Sequence, residues 1–230
     1  MILNKKISLV LLAAFCIIMI LPLYGFGSTE IDDAKDDIII KENLVEVKPD
    51  GIFIQAGTKQ TEIAQQLHGE KISYGEFVRR VFPEAVNYIK PEHMQDMDSK
   101  PFPWEDKDNS QLEQNVTNLS YPNWIYFVSN IGGTAREIGY SATQQLVFPT
   151  ALCSYMSTTA TVEKDNNGTI TQETYAYSYS ADCVMDVASG IYNGGPGVYR
   201  SVGYYLYGSP PGYSPPSGTY TTYTSWKNMN

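Results

Sequence analysis

Between Cys153 and Val184 the chain reads as two long strand-like runs, Cys153–Glu163 and Thr169–Val184, on either side of Asn166-Asn167-Gly168. Asn and Gly both tolerate positive φ, so Asn-Gly between such runs marks a β-hairpin. The midpoint of Cys153 and Cys183 is residue 168, on that turn. A three-residue loop 167–169 sets Cys153 directly opposite Cys183 and Glu163 against Glu173. A two-residue turn at Asn167-Gly168 shifts the pairing by one residue and sets Cys153 opposite Asp182. A bulge or bend allows a third geometry, a bridge between facing sheets. Parity places Tyr175, Tyr177, Tyr179 and Cys183 on one face, the predicted core face. Ala176, Ser178, Ser180 and Asp182 form the opposite face, predicted to be wet.

The same vocabulary recurs through residues 121–230. Trp124–Ser129, Ile138–Val147, Val198–Tyr207 and Tyr220–Trp226 are strand-like. Asn130-Ile131-Gly132-Gly133, Phe148-Pro149, Asn193–Gly197 and Ser209-Pro210-Pro211-Gly212 punctuate them. This pattern predicts a mainly β protein with a small α region. The expected architecture is an antiparallel β-sandwich or open barrel of about six to eight strands, preceded by a short helical segment.

Upstream the chemistry changes. Residues 28–120 carry 19 acidic and 10 basic side chains, whereas residues 121–230 carry six and four but hold 15 of the 18 tyrosines. Residues 28–57 read as an acidic leader with short strands at Ile38–Ile40 and Leu44–Val47. Asp50-Gly51 turns the second of these toward Ile52–Ile54. Residues 58–90 form the helical unit: Thr58 caps a helix through Leu67, and Gly69 stops it. Ser73-Tyr74-Gly75-Glu76 is a capping box ahead of Phe77, Val78, Val81 and Phe82. Pro83 then starts a new turn. Residues 91–120, with Pro91, Pro101, Pro103 and many acids, read as a connector.

The chain opens with Lys5 and Lys6 before an uncharged stretch, Ile7–Leu23, followed by Gly25 and Gly27 at signal-peptidase spacing. Residues 1–27 are expected to be a signal peptide, or an uncleaved signal anchor. The expected location is secreted or extracellular, with membrane contact only through such an anchor. Export removes Cys16 and leaves Cys153 and Cys183, an expected disulfide in an oxidising compartment. It also removes two lysines, taking the formal charge from −9 to −11. That balance opposes nucleic-acid binding.

Catalytic chemistry is sparse. His68 falls where the first helix ends, and His93 in the polar connector. No metal-binding, nucleophile-elbow or phosphate-loop motif occurs, and no cofactor is expected. Asp165–Gly168 has calcium-loop residue types without the spacing. Glu137, Glu163 and Glu173 are the glutamates of the β half and could supply a carboxylate pair. Asn115, Asn118 and Asn167 begin glycosylation sequons. The candidate binding residues are Tyr199, Tyr204, Tyr205, Tyr207, Tyr213, Tyr220, Tyr223 and Trp226. Adjacent Tyr204 and Tyr205 must point to opposite faces of a strand, which leaves some rings for solvent or a partner. The expected function is non-enzymatic recognition of a glycan or extracellular protein. The alternatives are an exported hydrolase, or an N-terminal pro-region that regulates the β domain.

Overall fold

The computed structural model describes residues 42–104, 121–122 and 124–230. The expected export signal, the expected leader up to residue 41 and the sequons at Asn115 and Asn118 lie outside the described residues. A hairpin comes first: β1 (Leu44–Lys48) and β2 (Gly51–Gln55) turn at Pro49-Asp50. The helical unit follows as α1 (Thr58–Leu67), α2 (Tyr74–Val81), a 3₁₀ turn (Pro83–Tyr88) and α3 (Pro91–Ser99). The remaining strands are β3 (Tyr121–Pro122), β4 (Trp124–Thr134), β5 (Glu137–Phe148), β6 (Cys153–Asn166), β7 (Thr169–Cys183) and β8 (Met185–Tyr192). They continue with β9 (Gly197–Gly208), β10 (Tyr213–Ser214), β11 (Ser217–Tyr223) and β12 (Lys227–Met229).

The protein is mainly β, with antiparallel sheets of seven and three strands that do not close into a barrel. The large sheet runs β1-β2-β7-β6-β9-β11, with β12 pairing the start of β9. The small sheet runs β4-β5-β8. Short β3 and β10 pair in parallel.

Both faces of the large sheet are covered. On one, Tyr155, Tyr175, Tyr177, Tyr179 and Tyr204 pack with Phe77, Phe82, Met97 and Phe102 of the helical layer. On the other, Ala160, Val162, Ala176 and Tyr205 pack with Ile131, Ile138, Ala142 and Ala188 of the small sheet. The molecule is therefore a three-layer stack of helices, large sheet and small sheet. The expectation of a wet face at Ala176, Ser178 and Ser180 is corrected: all three are buried beneath the small sheet. Alternating strands normally keep one polar face for water. Here the inner hydroxyls of Thr158, Ser178 and Ser180 donate to the buried Asp186 carboxylate instead of to water.

The hairpin register combines the two simple expectations. Asn166 pairs with Thr169, so the turn is the two-residue Asn167-Gly168, with φ of 56° and 91°. Glu163 faces Gln172, while Val162 faces Thr174, so Glu173 is an extra residue in the ladder. This β-bulge restores the register that sets Cys153 against Cys183. Asp182, at φ 47°, turns the strand end, and Cys183 packs with Leu146 and Met156 instead of following the buried tyrosines.

Three further expectations change. Residues 91–99 are helical, because Pro91 occupies the first helical position, where a missing N–H costs nothing. Asn130–Gly133 lies within β4 and does not end it. Met185–Tyr192, outside every expected strand, forms β8. Ser209–Gly212, expected to punctuate the strands, does so and folds back through a turn, with Tyr213 N–H bonding the Pro210 carbonyl at 3.1 Å.

Candidate functional site

β11 and β12 both pair with β9, over Val202–Gly208 and Gly197–Tyr199 respectively. The connecting stretch must therefore pass over Arg200 and Ser201. Thr224 fixes it there: its N–H donates to the Ser201 carbonyl at 2.9 Å, and its hydroxyl accepts the Ser201 N–H at 2.9 Å. Tyr223 and Trp226 thereby flank Arg200. The guanidinium carbon lies 4.8 Å from the Tyr223 ring centre and 4.7 Å from that of Trp226. Arg200 faces Glu163 across the β6–β9 ladder, and its Nε donates to Oε2 of Glu163 at 2.6 Å. Glu163 is buried and anchors the cation beneath the rings. Tyr223 is 42% and Trp226 37% exposed, so each ring presents surface while its position is held from below. This is a preorganised aromatic–arginine platform.

The other expected binding residues divide. Tyr199, Tyr204 and Tyr205 are fully buried and leave the list of surface candidates. Tyr204 packs under the helical layer against Phe102, and Tyr205 under the small sheet against Phe127. Their opposite directions are as expected, but both directions lead into core. Tyr199 lies under Lys164 and donates to the Gly194 carbonyl at 2.6 Å. Tyr207 and Tyr213 are half-buried. Tyr220 is exposed but stacks on Phe127, on the sheet face opposite Tyr223. The platform thus unites only Tyr223 and Trp226 of the eight. Arg200 and Glu163 complete it, and only their cross-strand pairing reveals that they belong. A second exposed group, Trp124 with Phe148 opposite it, occupies the end of the β4–β5 pair.

The glutamates do not gather into a pair. Glu163 bonds Arg200 on the helical side of the large sheet, whereas Glu173 accepts from Tyr192 of the small sheet at 2.6 Å. Glu137 sits at the β4–β5 turn. His93 is buried, not solvated as a connector residue would be. Its Nδ1 lies 2.8 Å from the Tyr179 hydroxyl, and its ring stacks on Tyr155. His68 caps α1 by position, bonds Gln172 at 2.7 Å and meets the edge of Trp104. A cleft of about 350 Å³ beside β1 and β2 is lined by Lys48, Asp50, Tyr88, Lys90 and Asp182. The Lys90–Asp182 ion pair, at 2.8 Å, occupies its rim.

Among the described residues no group of three or more His, Cys, Asp or Glu is placed to hold a metal ion. No helix among them is long and apolar enough to cross a membrane. Cys153 and Cys183 are free thiols, both buried. Burial pushes the Cys153 thiol up to about 12 and raises that of Cys183 as well. Comparison with family models, curated proteins and solved structures finds no match.

Proposed function

We propose that this is an exported, non-enzymatic recognition protein that binds a glycan on the Tyr223–Arg200–Trp226 platform. The observation that carries the reading is the pair of partly exposed rings that both pack on Arg200, itself held by the buried Glu163. Aromatic faces match the C–H faces of sugar rings, and their fixed placement lowers the entropy lost on binding. The platform is small, which suits a few sugar units; a protein partner typically covers about 800 Å² on each side. Glycan-array binding of the secreted protein, with Tyr223→Ala and Trp226→Ala beside it, tests this. Each substitution is expected to reduce binding at least tenfold, about 1.4 kcal/mol. Array signal that is equal in all three proteins defeats the assignment.

We also propose that Cys153 and Cys183 become a disulfide after export. Each thiol loses its proton, and two electrons pass to a disulfide-bonded oxidant, which leaves as two thiols. The facing register supports the pairing. Closing this loop is worth about 3–4 kcal/mol in the chain-entropy model. Thiol titration of the denatured, exported protein is expected to find none, and reduction should lower the melting temperature. Two titratable thiols in unreduced material would refute the bond.

A further inference from the structure

Between the two sheets lies a polar cluster where apolar packing is the rule. Gln144 on β5, Thr158 on β6, Ser178 and Ser180 on β7 and Asp186 on β8 all point into it, and all are buried. Ser178 and Ser180 donate to Oδ1 of Asp186 at 2.6 and 2.9 Å. Thr158 donates to Oδ2 at 2.7 Å. The same Thr158 oxygen accepts from Nε2 of Gln144 at 2.9 Å, and that nitrogen also donates to the Leu206 carbonyl at 3.3 Å. Oε1 of Gln144 is buried without a hydrogen-bond partner. A buried acceptor left without a partner loses the hydrogen bonds that water gave it.

Thr158 is the one hydroxyl of the cluster that touches both a carboxylate and a carboxamide; the two serines reach only Asp186. We propose that Thr158 and Gln144 condense into an intramolecular ester, with Asp186 carrying the proton. Oγ1 of Thr158 forms a bond to Cδ of Gln144, one bond beyond the nitrogen it already touches. The hydroxyl proton passes to Oδ2 of Asp186. The Cδ–Nε2 bond then breaks, the proton moves from Asp186 to that nitrogen, and ammonia leaves. Hydroxyl plus carboxamide gives ester plus ammonia; nothing is oxidised or reduced.

Three features favour the step. The reactants are held in contact by the register of two sheets, which replaces a bimolecular encounter with a positioned one. Complete burial of Thr158 and Gln144 keeps out the water that would hydrolyse the product. Burial also raises the proton affinity of Asp186, so it takes up the hydroxyl proton more readily than an exposed aspartate. The product is better suited to the site as well. An ester carbonyl is a weaker hydrogen-bond acceptor than an amide carbonyl, so leaving it unpartnered costs less. The bond would join the small sheet to the large one, in a protein expected to work outside the cell.

Intact-mass measurement of the denatured protein decides the matter. After reduction, the mature wild-type chain is expected to weigh one ammonia less than its mature sequence. Chymotryptic cleavage at Tyr155 should leave the Gln144 and Thr158 peptides linked, and mild base should separate them. Thr158→Val and Gln144→Leu are each expected to restore the full sequence mass. A wild-type chain at full sequence mass overturns the proposal. So does an ammonia loss confined to the Asn167-Gly168 peptide, where succinimide formation gives the same change.

Discussion

His93 shows how one buried side chain links this fold to pH. It stacks on Tyr155 and meets the Tyr179 hydroxyl, both on the large sheet, while Tyr155 donates to Asp96 on the same helix. Burial lowers its proton affinity and nearby Lys90 adds to that; Glu92, Asp182 and Asp96 oppose. An unfolded histidine titrates near pH 6.5. As pH falls through about 6.5, the unfolded chain takes up a proton that the folded chain resists, so stability declines. Asp182, its pKa depressed by Lys90, loses its contribution only at lower pH, below its ordinary value of 3.8. The melting temperature should therefore fall between about pH 7 and pH 5, and fall less in His93→Phe, which keeps the stacking but has no titrating nitrogen. Thermal scans across that range check it; equal slopes in the two proteins would reject the role. Sequence placed His93 in a solvated connector because its neighbours Glu92 and Gln95 are polar. The Tyr155 and Tyr179 rings that bury it are separated from it by more than sixty residues of chain, and no local pattern announces them.

At the scale of elements, local rules succeeded where the backbone signal was strong. Ser73 accepts the Glu76 N–H at 3.0 Å and starts α2 as its capping sequence predicts. Ser73→Ala should cost about 1 kcal/mol, measurable by urea denaturation. Gly69, at φ 78°, follows α1 as a left-handed stop. The start of α1 is different: Gly57 holds the cap position, and Thr58 is the first helical residue. Local rules failed where packing outvoted propensity. In β8, Asp186, Ala188 and Gly190 alternate with Val187 and Ser189, a poor strand by composition. Its small and acidic residues fit because the large sheet offers hydroxyls to Asp186, and Tyr140 fills the space above Gly190. The bulge at Glu173 was not among the registers read from the sequence; it joins the two-residue turn to the pairing expected of the three-residue loop. The turn chemistry demanded two residues, and the ladder beyond it settled into the other pairing. For the candidate site, Tyr223 and Trp226 were visible as aromatic residues, but Arg200 and Glu163 needed the β6–β9 register to join them.

Across the whole molecule, the change in composition near residue 120 is not a boundary between folding units. Residues 38–230 form one compact unit. β2, from the acidic half, is hydrogen-bonded to β7 through pairs from Gly51–Ser180 to Gln55–Ala176. The helices cover one face of the large sheet, and Tyr74 reaches across to the Ser157 carbonyl at 3.2 Å. Five buried tyrosines depend on that cover, and burial raises the proton affinity of Tyr175 and Tyr177 further above the ordinary value. A removable pro-region would have to surrender this entire interface and leave β7 with an unpaired edge, a template for aggregation. The described residues 42–104 thus pack as a layer against the large sheet. A protease site inserted within residues 105–120 and cut after folding tests that. The two pieces are expected to co-elute by size exclusion in native buffer and to part only in denaturant. Release of a soluble β fragment under native conditions, with retained near-ultraviolet circular dichroism, would instead make the first half a detachable regulator.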